Sequence, residues 1–247
     1  CIRDSLSVGG KIGHFHGRFQ HDGWIEEVNG HLRPLPVCEA MEDLRERYER
    51  EEEEEGTTGT AIKLSVPYIS QWDEMAALHN ADCGPTCMAM LTNAGREVPD
   101  YVTVDELYER HLAHKQPGDF TFLNEMLDVG NGEGLNVQRK DYPNGTKALE
   151  ELQVLIDQDT AFVILVNYAK WDHVAKNNFR YGHFVVVTGY DKKHVFVHDP
   201  LFSGSRRSEG ESFAWTHELF LDGWGGFDPS VNPNYVALVP DKQVERL

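Results

Sequence analysis

The sequence predicts an α+β domain in which helices come first and an antiparallel sheet follows. Three observations carry this. Residues 81–91 (ADCGPTCMAML) start a helix on Pro85, where a missing N–H costs nothing, and continue it with apolar residues. Residues 161–166 (AFVILV) and 184–187 (FVVV) are uninterrupted apolar runs with the length of buried strands. Residues 183–190 and 194–198 read as two strands joined by the turn Asp191-Lys192-Lys193, an antiparallel hairpin.

The elements follow in chain order. Residues 1–38 form a small N-terminal segment in which 17–36 alternates short apolar stretches with the turn signals His21-Asp22-Gly23 and Asn29-Gly30, so two or three short strands around Trp24 are expected. Residues 39–60 are an acidic helix and linker. Residues 39–56 hold ten acids against three arginines, a net of −7, and Gly56-Thr57-Thr58-Gly59 reads as a linker. A solvated connector is the simpler reading of this run, an acidic docking tail the other. Residues 61–247 form the main domain. Its apolar, partly β-branched start, 61–69, gives way to Ser70-Gln71-Trp72-Asp73. Helices are expected over 105–114, 120–129 and 149–158, strands over 161–167, 183–190 and 194–198, and a final strand over 235–239.

Composition excludes some functions. The 247 residues are 40% hydrophobic and 11% aromatic, enough for a core. The net charge is −18 and the one compact basic cluster is Arg206-Arg207, which argues against nucleic acid as a partner. No apolar run approaches the roughly 18 residues of a membrane helix, so no transmembrane segment is expected. The four cysteines, Cys1, Cys38, Cys83 and Cys87, are too few for a disulfide-stapled scaffold, although Cys1 and Cys38 flank the small strands and could pair.

The chemistry gathers around Cys83. A thiolate just before a helix start faces the positive end of the helix dipole and free N–H groups, where a nucleophilic cysteine belongs. Such a cysteine needs an imidazole base, and the base an acceptor that orients it. His183 opens a buried strand, and Asp199 ends the neighbouring one, so the hairpin brings both to one edge with the second ring nitrogen facing Cys83. The Cys83 backbone N–H and the Gln71 side-chain amide are the candidate oxyanion donors. Trp72, Tyr181 and Trp224 are candidate substrate-binding residues from their expected positions beside the proposed catalytic residues. Cys87, one turn beyond Cys83, reads as core. A zinc set of His79, Cys83, Cys87 and His183 has spacings that match no standard module closely. No metal and no cofactor are called for. His111 and His114 read as surface residues.

Four stretches carry a resemblance: Val66-Pro67-Tyr68-Ile69-Ser70-Gln71, Asp82-Cys83-Gly84-Pro85-Thr86-Cys87, Gly182-His183-Phe184-Val185-Val186-Val187-Thr188-Gly189-Tyr190-Asp191 and His198-Asp199-Pro200. Over roughly residues 62–240 the chain resembles the papain-like cysteine peptidases of the bacteriocin-processing, double-glycine type, and more closely their free-standing relatives. The resemblance implies a papain-like fold, with the helix carrying the Cys packed on an antiparallel sheet carrying the His and Asp. It implies Cys83 as nucleophile, His183 as general base, Asp199 as its orienter and Gln71 as oxyanion donor. The expected activity is cleavage of a peptide bond in a peptide or protein substrate through a Cys83 thioester. An amidase or transpeptidase using the same acyl-enzyme, or an inactive peptidase-fold binding module, are the alternatives. The gap of twelve residues between Gln71 and Cys83 is longer than in the transporter-fused members, and the first 60 residues have no counterpart. A flexible turn is the simpler reading of Gly9-Gly10, cleavage after it by the protein itself the lesser one. The sequence sets no oligomeric state, and the location expected is that of a soluble protein, secreted or at the cell surface of a bacterium or phage.

Overall fold

The computed structural model describes residues 61–73, 82–98, 100–116, 118–226 and 235–247, and the backbone of five short strands between residues 7 and 34. The expected acidic helix over 39–50, the pairing of Cys1 with Cys38, Gly9-Gly10 and His79 lie outside the described residues. The chain divides into two compact units, Cys1–Gly59 and Thr60–Leu247. In the first, β1 (Ser7–Val8) pairs antiparallel with β2 (Lys11–Ile12), and β3 (Gly17–Gln20), β4 (Gly23–Val28) and β5 (His31–Pro34) form a three-stranded antiparallel meander.

The second unit is helices on a seven-stranded antiparallel sheet. In chain order it contains β6 (Ile62–Lys63), α1 (Cys83–Asn93), α2 (Val104–His111), α3 (Leu123–Gly132), β7 (Gln138–Asp141), α4 (Gly145–Asp157), β8 (Phe162–Asn167), α5 (Asp172–Ala175), β9 (Gly182–Tyr190), β10 (His194–His198), β11 (Phe213–Thr216), α6 (His217–Trp224) and β12 (Val236–Val239). The strands lie in the order β11-β10-β9-β8-β12-β7, with β6 pairing the end of β9. β9 is buried from His183 to Gly189, which is why it reads as a continuous apolar run and not as an alternation. All eleven residues of α1 are buried against this sheet and the flanking helices, so its sequence is apolar nearly all round. Lys242 donates to the Leu91 and Thr92 carbonyls at 3.2 Å each, closing the far end of α1.

The helices begin where their caps stand, and this moves two of them from the expected bounds. The helix expected over 120–129 starts at Leu123, because the Glu125 carboxylate accepts from the Phe122 N–H at 2.8 Å and fixes the first turn there. Phe120 and Phe122 are consequently outside it, 51% and 63% exposed. The helix expected over 149–158 starts at Gly145, since Asn144 accepts from the Lys147 N–H at 3.0 Å. Thr103 and Glu106 form a reciprocal capping box on α2. β7, β11 and α6 were not expected from the sequence. β7 is the polar tetrapeptide Gln138-Arg139-Lys140-Asp141 at the sheet edge, with one neighbour and no apolar signal. Among the described residues no helix is long and apolar enough to cross a membrane.

Candidate active site

Antiparallel pairing assembles the site at one edge of the sheet. His183, the second residue of β9, lies opposite Val166 of β8. Asp199 follows the last residue of β10, and β10 pairs back along β9 with His198 opposite Val186. His183 Nε2 and Asp199 Oδ1 are 2.8 Å apart, both groups fully buried. With Asp199 accepting, Nε2 carries a proton and Nδ1 is the atom left for Cys83. Nδ1 makes no hydrogen bond of ordinary length and angle, but Cys83 is close enough to act on the ring by charge and weak hydrogen bonding. Burial opposes the charged imidazole. The Asp199 carboxylate and then Cys83 outweigh it, and the pKa is raised to about 10.

Cys83 is the first residue of α1 and is buried as a free thiol. Its chain neighbour Gly84 is confined: a Cβ there would meet Met126 Sδ at 2.5 Å and Thr121 Oγ1 at 2.7 Å. The 120–122 segment therefore packs directly onto the start of α1, which only a glycine allows. Cys87 is a second free, wholly buried thiol, and burial first and the charges of Cys83 and Asp199 next push it well above the ordinary range. Only one of the two thiols sits where a proton can pass to an imidazole.

Asp199 is held from every side. Oδ1 also accepts from the Leu201 N–H at 3.0 Å, and Oδ2 accepts from the Tyr168 hydroxyl at 2.7 Å. Its N–H donates to the Gly210 carbonyl at 2.9 Å and its carbonyl accepts from the Tyr68 hydroxyl at 2.9 Å. Gly210 must be a glycine for this approach, since a Cβ would lie 2.5 Å from the Asp199 carbonyl oxygen and 2.2 Å from the Tyr68 hydroxyl. The adjacent His198 takes no part in the exchange. It donates from Nε2 to the Val66 carbonyl at 2.9 Å and accepts at Nδ1 from the Ser212 N–H at 3.0 Å, and burial keeps its pKa below the usual imidazole value.

The Gln71 loop is bolted to the residues that follow Asp199. The Gln71 N–H donates to the Pro200 carbonyl at 2.9 Å, the Ser70 hydroxyl to the Phe202 carbonyl at 2.6 Å, and the Trp72 indole to the Leu201 carbonyl at 3.0 Å. Asp73 closes the loop on its own Ser70 N–H and forms a bidentate pair with Arg207 at 2.6 and 2.5 Å. Gln71 itself is buried.

Of the residues expected at the site, Cys83, His183 and Asp199 are brought together, and Gln71 is fastened to the Asp199 loop. Trp72 is 39% exposed beside that loop. Tyr181 is 66% exposed, its ring 6.2 Å from Phe120 and 5.5 Å from Phe179, which in turn lies 5.7 Å from the His183 ring. Trp224 is a correction. It was expected to line the cleft, but it is fully buried with its indole N–H on the Val236 carbonyl at 3.0 Å and its rings against Phe220, Tyr142 and Tyr235. It ends α6 on that helix's inward face, a helix the sequence did not announce. Tyr168 and Phe120 stand at the site without having been expected there. Tyr168 continues the β8–β9 pairing, donating its N–H to the Tyr181 carbonyl, so the register of those two strands would have placed it. Among the described residues no group of three His, Cys, Asp or Glu side chains could hold a metal ion.

A family model described as the Peptidase_C39 like family matches residues 63–219. No curated protein matches. Among solved structures, a protein of Bacillus anthracis described as a C39-like peptidase is 18% identical with a TM-score of 0.50, covering 75% of this chain and 99% of its own. The peptidase domain of Streptococcus ComA, a bi-functional ABC transporter involved in a quorum-sensing pathway, is 17% identical with a TM-score of 0.43, covering 72% and 98%. A double glycine motif protease from an AMS/PCAT transporter, solved with its leader peptide, is 16% identical with a TM-score of 0.42, covering 73% and 98%. At such identities the likeness to the first speaks for the fold alone, the papain-like packing of helices on an antiparallel sheet that the sequence predicts.

Proposed function

The chain belongs to the Peptidase_C39 like family, and from that premise we propose that it is a cysteine peptidase whose acyl-enzyme forms on Cys83. The observation that carries this is the buried His183–Asp199 pair at 2.8 Å with Cys83 acting on the same imidazole. The Cys83 proton passes to His183 Nδ1, and the thiolate attacks the carbonyl carbon of the scissile bond. The oxyanion is held by the Cys83 N–H and the Gln71 amide, each such donor being worth about 100- to 1000-fold in rate. The protonated imidazole gives its proton to the leaving amine, and a thioester remains. Water then attacks the thioester carbonyl and gives a proton to His183, and the expelled sulfur recovers a proton as the carboxylic acid leaves. Trp72 and Tyr181 flank the substrate. With −11 of the net charge outside residues 39–56, a neutral or basic peptide suits the protein better than an anionic one.

Peptide libraries digested with the wild type and with Cys83→Ala test this, together with intact-mass detection of a thioester adduct on the wild type. Defined cleavages with the wild type, absent with Cys83→Ala, are expected. Equal cleavage by both proteins sinks the proposal, and an adduct that passes to an amine and not to water converts it to transpeptidation.

The Gln71 loop supplies a second prediction. Arg207→Met removes the bidentate hold on Asp73 while leaving the bonds of Ser70, Gln71 and Trp72 to the 200–202 backbone. Half-exposed ion pairs contribute about 1 kcal/mol or less, so kcat is expected to fall about 3- to 5-fold with KM unchanged. Steady-state kinetics on any cleaved peptide checks this. A rise in KM alone would show that the clamp serves binding and not the oxyanion.

A further inference from the structure

A chain of side chains leads from the surface to Asp199. Arg206 donates to Asn177 Oδ1 at 3.1 Å, Asn177 Nδ2 donates to the Tyr168 hydroxyl oxygen at 2.8 Å, and that hydroxyl donates to Asp199 Oδ2 at 2.7 Å. The reading of Cys83, His183 and Asp199 uses none of the first three. Asn177 is aimed at considerable local cost. Lys176 and Asn178, on either side of it, both have φ of 55°, a left-handed backbone that side chains other than glycine rarely adopt. Asp172 holds this loop by accepting from the Asn177 and Phe179 N–H groups at 3.0 and 3.2 Å. Arg206 ties the same loop down through the Ala175 and Lys176 carbonyls at 2.8 and 3.2 Å.

Tyr168 is itself fully buried, and its ring stands edge-on to the His183 imidazole with centroids 5.0 Å apart. Burial and then the Asp199 charge push its phenol far above the usual range, so it stays a donor at every working pH. We propose that Tyr168 is a positioning residue of the peptidase reaction: held by Asn177, its hydroxyl fixes the Asp199 carboxylate in plane with His183 Nε2, and its ring keeps the imidazole turned toward Cys83. Without the hydroxyl one carboxylate oxygen loses its donor, and the carboxylate rotates about its Cβ–Cγ bond. His183 then loses alignment with the group that most favours its charged form, while Cys83 and the rings at positions 168 and 179 remain beside it. The proposal rests on the peptidase reading, and its test separates the two.

The test uses the full chain and measures two quantities for the wild type, Tyr168→Phe and Asn177→Ala. One is the rate of Cys83 alkylation by iodoacetamide near neutral pH, read by mass spectrometry. The other is kcat and KM on a cleaved peptide as a function of pH. In Tyr168→Phe, kcat falls about 10-fold with KM within about twofold, and the alkaline limb of the kcat profile, set by the imidazolium that protonates the leaving amine, moves down by about one pH unit. Asn177→Ala, which leaves the buried ring in place, moves both in the same sense by about a third as much on a logarithmic scale. A wild-type alkaline limb in folded Tyr168→Phe overturns the proposal, and so does a change confined to KM. Should Tyr168→Phe fail to fold, a wild-type limb in Asn177→Ala overturns it. Absence of preferential Cys83 alkylation in the wild type removes the peptidase reading instead.

Discussion

In the His183→Ala protein, Cys83 is expected to lose its advantage over Cys87 toward iodoacetamide at pH 6, its alkylation slowing about 100-fold, with peptide cleavage reduced by about four orders of magnitude. A thiol of ordinary acidity, with pKa about 8.5, is less than about 1% thiolate at pH 6. A thiol that shares its proton with an imidazole escapes this limit, because the ring takes the proton and the resulting pair of charges is held by Asp199. The His183 pKa is raised to about 10, so the imidazolium persists through neutral pH. Cleavage, which needs that imidazolium to protonate the leaving amine, is therefore expected to persist until the pH approaches that value. Cys87 is the internal reference, since burial keeps its proton in place and its surface closed. Cleavage falls further than alkylation because the same ring is both base for the thiol and acid for the leaving amine. Fragmenting the singly modified tryptic peptide 64–96, which holds both cysteines, after limiting reagent decides the matter. Equal labelling of the two cysteines in the wild type, or an unchanged Cys83 rate in His183→Ala, contradicts the reading.

The residues legible in advance were those whose placement follows from one short hairpin. Asp191 caps its own turn by accepting from the Lys193 and His194 N–H groups at 2.7 and 2.6 Å, so β9 and β10 fold back on each other with little freedom. His183 and Asp199 then meet at the open end, even though the pairing shifts between Phe196 and Val197. Tyr168 depends instead on the register between β8 and β9. Both strands are buried on both faces, and two unbroken apolar runs carry no alternation from which a register is read. Trp224 failed for a related reason. Its expected position suggested the cleft, but the face of α6 it occupies is set by Trp171 and Val236, tied to it by no pattern in the sequence, and by Phe220 one turn earlier on the same helix. Phe120 and Phe122 looked like the start of a helix because they are apolar. The Glu125 cap begins that helix three residues later and leaves both rings largely exposed, Phe120 against Tyr181. Hydrophobic period predicts elements well where one face is wet, and poorly where the chain is wholly buried or capped by a side chain further on.

Asp199→Ala is expected to give the next largest loss, about three orders of magnitude in kcat, and to cost stability as well. The substitution leaves the His183 Nε2–H, the Tyr168 hydroxyl and the Leu201 N–H without the carboxylate that accepts from all three in a fully buried place. Buried donors stripped of a charged acceptor cost about 1–3 kcal/mol each, not additively, so a loss of about 3–5 kcal/mol is reasonable. Asp199→Asn separates the two effects. It keeps the volume and one acceptor oxygen for the imidazole but removes the charge, so it should retain more activity than Asp199→Ala while its kcat falls off at lower pH. The direction follows from the cause: burial alone lowers the His183 pKa, and the Asp199 charge is the largest influence raising it. The same shift makes folding stability depend on pH. A group raised from about 6.5 in the unfolded chain to about 10 in the native one binds its proton more tightly when folded. Its contribution is complete below about 6.5 and is lost as the pH climbs through about 10. The melting-temperature difference between wild type and Asp199→Asn should therefore be greatest near pH 6 and shrink steadily toward pH 10. A difference that stays constant over that range would mean that Asp199 holds His183 by shape and hydrogen bonding, with its charge contributing nothing to the fold.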